Sequence, residues 1–307
     1  MTTRRAGTRP SLRRVLFVGN RPLVFEAALS FAELEIEWTW AVSGSYFEER
    51  LRELGRDFET FAPADSARLV EELARTPFDV LVSNGCPIVL PVSRLARPGR
   101  VFLNVHPSPL PEMRGLHPLN GALLNGRRRV GATMHHMGVG VDSGRLIRQE
   151  RIEVSDDLDL GLLYHMVFRL EATVFRAGMC TMIDSAFGYV GEDQAGAGSY
   201  YSRRDEDMHI DLAAMDDDDI LRRVRSFGVR TQGVSCRIGT RAIRVFEARA
   251  ARHPALLAEF EALAPGSLAL AYDGKLLVRT RQGLVVLTSF SEIDERPAAT
   301  VRGWQGR

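Results

Sequence analysis

The chain has 307 residues, of which 45% are hydrophobic and 26% charged, enough to bury a full core without disulfide staples. Its 40 basic and 39 acidic residues give a formal charge of +1, without the strong basic excess of a protein built to live on nucleic acid. Cys86, Cys180 and Cys236 stand far apart with no CxxC spacing, which argues against a disulfide framework or zinc site and fits a reducing cytosol.

The start, Met1 to Arg14, is basic but has no apolar core, so it does not read as a signal peptide; residues 1–13 are expected to form a flexible tail. No apolar run reaches the ~18 residues of a membrane span. Val15 to Asn20 is a short buried-strand run, and Leu23 to Leu34 carries apolar residues at helical spacing. Ile36 to Val42 is strand-like, Phe47 to Leu54 helical, and Ser66 to Ala74 helical with Ser66 as its expected cap. Asp79 to Ser83 and Val101 to Val105 are two more strands. This β-α-β rhythm predicts an α/β, Rossmann-like, doubly wound and mostly parallel sheet over residues 14–190. In such sheets ligands sit beyond the carboxyl ends of the strands.

A Gly-rich linker is expected at residues 191–199, where the composition changes. Beyond it, a helix from about Asp218 to Phe227 precedes short strands separated by Asp273-Gly274 and Gln282-Gly283, which are hairpin signals. Residues 200–307 therefore read as a small, mostly β, barrel-like second domain.

The chemistry-bearing segment runs from Asn104 to Gly144. Asn104 and His106 are two apart on a strand, so their side chains point the same way. Pro107, Pro109 and Pro111 end the ladder there and stiffen the next loop. Arg114-Gly115 adds a charge and a tight bend. Asp142 lies between Gly140 and Gly144, which let backbone approach a bound molecule. An amide, an imidazole and a carboxylate at one sheet edge form a constellation suited to acyl transfer. His135 and His136 point to opposite faces of their strand, so no two-histidine metal site is expected, and no metal-ligand cluster is seen.

The string Asn104-Val-His106-Pro-Ser-Pro-Leu-Pro111, then Arg114-Gly115, Gly131-Ala-Thr133 and Asp142-Ser-Gly144, resembles the formyltransferase family, whose members act on methionyl-tRNA, glycinamide ribonucleotide and amino sugars. The resemblance extends from about Val15 to Ile183 and continues more weakly into the C-terminal strands. It implies a cytoplasmic enzyme that takes a formyl group from 10-formyltetrahydrofolate and passes it to an amine, with no metal. It further implies that Asn104 and a protonated His106 hold the developing oxyanion. Asp142 would then accept the amine proton, and would orient His106 and raise its pKa.

By the same resemblance the pterin is expected against Cys86, Pro87, Ile88 and Leu90 and the loop of Val139, Gly140 and Val141. Core packing is the other reading of Ile88 and Leu90. Ser108, Arg114 and Asn120 are the expected acceptor-side residues, although Arg114 could equally pin the proline loop. The basic insertion of the tRNA-specific members is missing between Val42 and Phe47, which points away from tRNA. A nucleotide-linked amino sugar is the leading acceptor. Methionyl-tRNA, an amino-acid-derived amine such as hydroxyornithine, and a non-catalytic folate-binding role stay as alternatives. The second domain is expected to help bind the nucleotide or to form a homodimer.

Overall fold

The fold was analysed in a computed structural model that describes residues 12–293; most of the expected tail at 1–13 lies outside the described residues. The strands are β1 (Arg13–Gly19), β2 (Leu34–Val42), β3 (Glu59–Phe61), β4 (Val80–Asn84), β5 (Val101–His106), β6 (Arg129–His136), β7 (Leu146–Glu153), β8 (Val234–Ile238), β9 (Arg241–Ala250), β10 (Leu268–Tyr272), β11 (Lys275–Arg279) and β12 (Leu284–Glu292). The helices are α1 (Pro22–Ala28), α2 (Tyr46–Glu53), α3 (Ser66–Arg75), α4 (Val92–Leu95), α5 (Pro118–Leu124), α6 (Leu160–Asp184), α7 (Asp217–Phe227) and α8 (Pro254–Glu259).

Contacts divide the described chain into two compact units. The first takes in the chain up to Ala122, Arg127–Asp156 and Leu162–Ser202; the second takes Leu123–Gly126, Asp157–Gly161 and the chain from Arg203. Among the described residues no helix is long and apolar enough to cross a membrane.

In the first unit seven strands lie in the order β3-β2-β1-β4-β5-β6-β7. The pairs from β3 through β5 are parallel, whereas β5–β6 and β6–β7 are antiparallel. The central strands are apolar on both faces. Val15 and Phe17 of β1 join one buried cluster with Val82, Leu103 and Phe175; Leu16 and Val18 join the other with Leu81, Leu69 and Leu73. That two-sided alternation is why the strands read as unbroken apolar runs, and it places helices on both faces. Phe17, Phe25 and Phe47 lock α1 and α2 onto the sheet, with ring centroids 5.3–5.5 Å apart.

Two element boundaries differ from expectation. The helical run from Leu23 ends at Ala28, and Leu34 already belongs to β2. The cap of α3 is Asp65, after a 3-10 turn at Pro63–Asp65, so Ser66 is the first helical residue. The segment expected as a linker, 191–199, is hydrogen-bonded along the first unit. Glu192 exchanges backbone bonds with Leu146 at 2.7 and 2.8 Å, and Ser199 N–H donates to Pro111 O at 3.1 Å.

The second unit is an antiparallel five-stranded sheet in the order β10-β11-β12-β9-β8. Among the described residues β8 and β10 are its edges, and the unit is the small, mostly β domain expected. The Asp273-Gly274 turn joins β10 to β11 as its dipeptide predicts. Ile220, Val224 and Phe227 of α7 cover one face over Cys236, Val245 and Val285.

Candidate active site

Asn104 and His106 stand at the carboxyl end of β5, on the same side, as their spacing predicts. Both reach the loop between β6 and β7. Asn104 Nδ2 lies 3.3 Å from Asp142 Oδ1, and His106 Nδ1 lies 3.6 Å from Asp142 Oδ2. Asp142 Oδ2 also accepts the Gly115 N–H at 2.9 Å. The end of β5 and the turn at Gly115 thus converge on one carboxylate of the β6–β7 loop.

The backbone around Asp142 is shaped by more than its glycines. Asp142 itself is left-handed, at φ 50, a conformation that Asp tolerates better than most residues. Gly144 is required for a different reason: a Cβ there would collide with the His136 carbonyl. Gly140 closes the loop on itself, its carbonyl accepting the Ser143 hydroxyl at 2.9 Å. Gln194 then clasps the loop from outside. Its amide donates to the carbonyls of Asp142 and Gly144, both at 2.8 Å, and its oxygen accepts from Arg114 at 2.6 Å.

The imidazole of His106 is held by its other nitrogen. Nε2 is 3.0 Å from the Met113 carbonyl; a carbonyl only accepts, so Nε2 carries the hydrogen. Burial lowers the His106 pKa below its ordinary value, outweighing the opposing pull of Asp142, and nearby Arg21 lowers it further. Burial thus favours a neutral ring with a lone pair on Nδ1, whereas the resemblance implied a protonated one. The 3.6 Å gap to Oδ2, beyond hydrogen-bond range, fits an empty space for one proton.

His135 completes the cluster and was not among the residues singled out. It sits opposite Asn104 in the β5–β6 ladder. Its Nδ1–H donates to the His136 carbonyl at 2.8 Å, leaving Nε2 to accept from Asn104 Nδ2 at 3.1 Å. Burial holds its pKa down to about 4, so the neutral tautomer persists. The two faces of β6 do separate His135 from His136, whose Nε2 meets the Tyr189 carbonyl at 2.8 Å. Among the described residues no group of three metal ligands exists.

The proline loop is tied down by Thr133. Its hydroxyl donates to Ser108 O at 2.7 Å and accepts from Leu110 N at 3.2 Å and Gln149 Nε2 at 2.9 Å. The residues expected to face an acceptor are distributed unevenly. Ser108 is 2% exposed and gives its hydroxyl to Glu112 O at 2.7 Å; Asn120 is fully buried and accepts from Tyr164 at 3.2 Å. Both polar groups have partners within the protein. Arg114 bonds Gln194 at 2.6 Å and stacks 5.5 Å from the Tyr200 ring centre.

Of the expected pterin residues, Leu90 is buried in the core; Cys86 and Ile88 pack partly against it, and Pro87 is half-buried. The Cys86 thiol is pushed up to about 11 by burial, which leaves it an inert thiol. Val139 is 99% exposed and Val141 37%. Val89, between Ile88 and Leu90, is 63% exposed.

A second polar cluster lies at the ends of β1 and β4. Arg21 pairs with the buried Glu171 of α6 at 2.5 Å and stacks 4.0 Å from the Phe168 ring centre. Asn84 donates to the same Glu171 oxygen at 3.1 Å.

Comparison with known proteins agrees with this geometry. The family described as Formyl transferase matches residues 56–177, and the one described as Formyl transferase, C-terminal domain, matches residues 203–306. A methionyl-tRNA formyltransferase of Staphylococcus aureus is 30% identical over 141 residues, 46% of this chain and 45% of that protein. The chain thus aligns with less than half the length of that curated relative. Among solved structures, HypX from Aquifex aeolicus in complex with tetrahydrofolic acid aligns at a TM-score of 0.65 and 17% identity, covering 92% of this chain and 45% of that one. An N-formyltransferase from Helicobacter canadensis, in complex with folinic acid and dTDP-3-aminofucose, aligns at 0.63 and 13% identity, covering 92% of this chain and 100% of that one. At these identities the structural likeness speaks for the fold.

Proposed function

Because the chain belongs to the formyltransferase family, we propose that it transfers a formyl group from 10-formyltetrahydrofolate to a primary amine, that of a nucleotide-linked amino sugar. The observation that carries the reading is the meeting of Asn104, His106 and Asp142 within 3.6 Å. The exposed valines of the 139–141 loop support a place for the pterin beside them.

The amine nitrogen forms a bond to the formyl carbon, and negative charge develops on the formyl oxygen. The carboxamide of Asn104 is the donor for that oxygen: His135 Nε2 keeps one N–H aimed, and the N–H now on Asp142 Oδ1 is turned to the formyl oxygen. A fixed donor of this kind is worth ~10²–10³ in rate. The amine sheds a proton as it attacks. His106 Nδ1 and Asp142 Oδ2, 3.6 Å apart, form one acceptor site for it. The bond from carbon to the folate nitrogen then breaks, and the same proton goes to that nitrogen. A neutral His106 suits this task, because a ring already protonated at Nδ1 could take nothing.

The acceptor reading rests on the near-zero charge and the missing basic insertion, and it is favoured by the sugar-nucleotide complex of the Helicobacter canadensis protein. A panel assay tests it: 10-formyltetrahydrofolate with dTDP- and UDP-linked amino sugars, hydroxyornithine and charged initiator tRNA. Formylation of an amino-sugar nucleotide is expected. Formylation of the tRNA alone would overturn the acceptor assignment, the tRNA reading being the one suggested by the S. aureus relative.

A further inference from the structure

A cavity of about 450 Å³ opens on the outer side of the proline loop, lined by Pro111, Glu112, Arg127, Arg151 and the segment 195–199. None of the catalytic groups lines it. Its place relative to them follows from strand register. Thr133 pairs with His106, while Arg151 pairs with Gly131, two residues further along β6. The cavity therefore lies ~7 Å beyond the end of β5, on the reactive edge of the sheet.

The lining has the chemistry of an anion site. Arg151 is exposed and has no carboxylate partner among the described residues. Arg127 has only Glu112, at 3.9 Å, the outer limit of an ion pair. The two guanidiniums outnumber the single carboxylate. The wall opposite is the run Ala195-Gly-Ala-Gly-Ser199. Its last residue is anchored: Ser199 N–H donates to Pro111 O, Ser199 Oγ accepts from Met113 N at 2.8 Å, and Ser199 O accepts from Arg114 N at 2.8 Å. Among the described residues, the N–H groups of 195–198 donate to no protein group. A side chain at Gly198 would be tight, since a Cβ would lie 3.1 Å from the Arg114 guanidinium and 3.3 Å from Pro111 O. Uncommitted backbone amides and two guanidiniums lining one cavity can make a cradle for a phosphate. The volume is in the range of small-molecule sites.

We propose that this cavity binds the diphosphate of the acceptor, with Arg151 and Arg127 as its cationic clamp and the 195–198 amides as its cradle. The inference rests on the amino-sugar-nucleotide reading and adds the specificity-determining residues. A sugar ring would bridge the distance from the clamp to the triad, amine inward. The clamp would thereby reject the free amino sugar, which offers it no anion. The anionic glutamate tail of folate is the competing source of charge, and the test separates the two.

Binding of inorganic pyrophosphate, UDP and dTDP to the full chain is measured by calorimetry, alongside KM values for acceptor and donor. Arg151→Gln and Arg127→Gln should each weaken pyrophosphate and nucleotide binding by about tenfold or more and raise the acceptor KM similarly. The donor KM should not move. Arg128→Gln, which lies outside the cavity and pairs with Asp156, is the control and should match the wild type. Unchanged pyrophosphate affinity in both cavity variants would overturn the proposal, as would a rise confined to the donor KM. If pyrophosphate binding falls but no amino-sugar nucleotide is formylated, the acceptor reading fails and the anion site stands. If the sugars are formylated with unaltered KM in both variants, the site fails and the reading stands.

Discussion

Replacing Thr133 with valine keeps the shape of a fully buried side chain and removes its hydroxyl. Three hydrogen bonds disappear: to Ser108 O, from Leu110 N and from Gln149 Nε2. Each partner retains another bond, since Leu110 N–H also reaches Ser108 O at 3.1 Å and Gln149 Nε2 also reaches Leu110 O at 2.8 Å. The loss is therefore that of three ordinary bonds and not of orphaned groups, ~1 kcal/mol each and ~3 kcal/mol in all. The protein should stay folded on that loss, with its urea midpoint lowered and its m-value unchanged. The same loop carries the Met113 carbonyl that holds His106 and the Gly115 N–H that holds Asp142. Turnover should therefore fall by ~10-fold or more as these anchors loosen. A loss under ~1 kcal/mol would refute the role of the hydroxyl as the loop's hub. Full activity despite the expected loss would show that the loop does not position the site.

Acid should weaken the fold through its buried histidines. His135 has a folded pKa of about 4 against an unfolded value near 6.5, so the unfolded chain binds its proton first. Its stabilisation is complete above ~6.5 and is lost as pH falls toward 4, ~3 kcal/mol in total; His106 and His136 shift in the same direction. The stability gap between wild type and His135→Gln should narrow from pH 7 to pH 4.5, and a constant gap would contradict it. Arg21→Met strips Glu171 of its ion partner inside the protein and should cost ~3–5 kcal/mol at pH 7.5. Burial already holds the Glu171 carboxyl above its usual pKa, so protonation should relieve much of that cost at pH 5; an equal loss at both pH values would argue against a buried charge.

What the sequence disclosed followed local spacing. Asn104 and His106 share a face because they are two apart, and Asp273-Gly274 forms its hairpin because few other dipeptides fit that turn. The contribution of His135 depends on cross-strand register, which pairs it with Asn104, and no spacing within one strand reveals that. Gln194 lay in a stretch whose glycines suggested slack, yet its amide grips two carbonyls of the Asp142 loop. The lowered pKa of His106 was also out of reach. The nearby carboxylate is visible in the sequence, but the burial that outweighs it belongs to the packed fold. Glu171 did leave a signal: Val167, Val174 and Phe175, at helical spacing around it, are all fully buried, so a carboxylate on that stripe had to be inside.

Formyl transfer by Asn104, His106 and Asp142 together is what the proposed reading requires. The direct test is the single-turnover rate of Asp142→Asn with 10-formyltetrahydrofolate and the free amine acceptor, at matched urea midpoints. The carboxamide has nearly the same shape and can still accept the Gly115 N–H, but it cannot share a proton with His106. The rate should fall by ~10²–10⁴-fold. A rate within a fewfold of wild type would remove Asp142 from the reaction and the account with it.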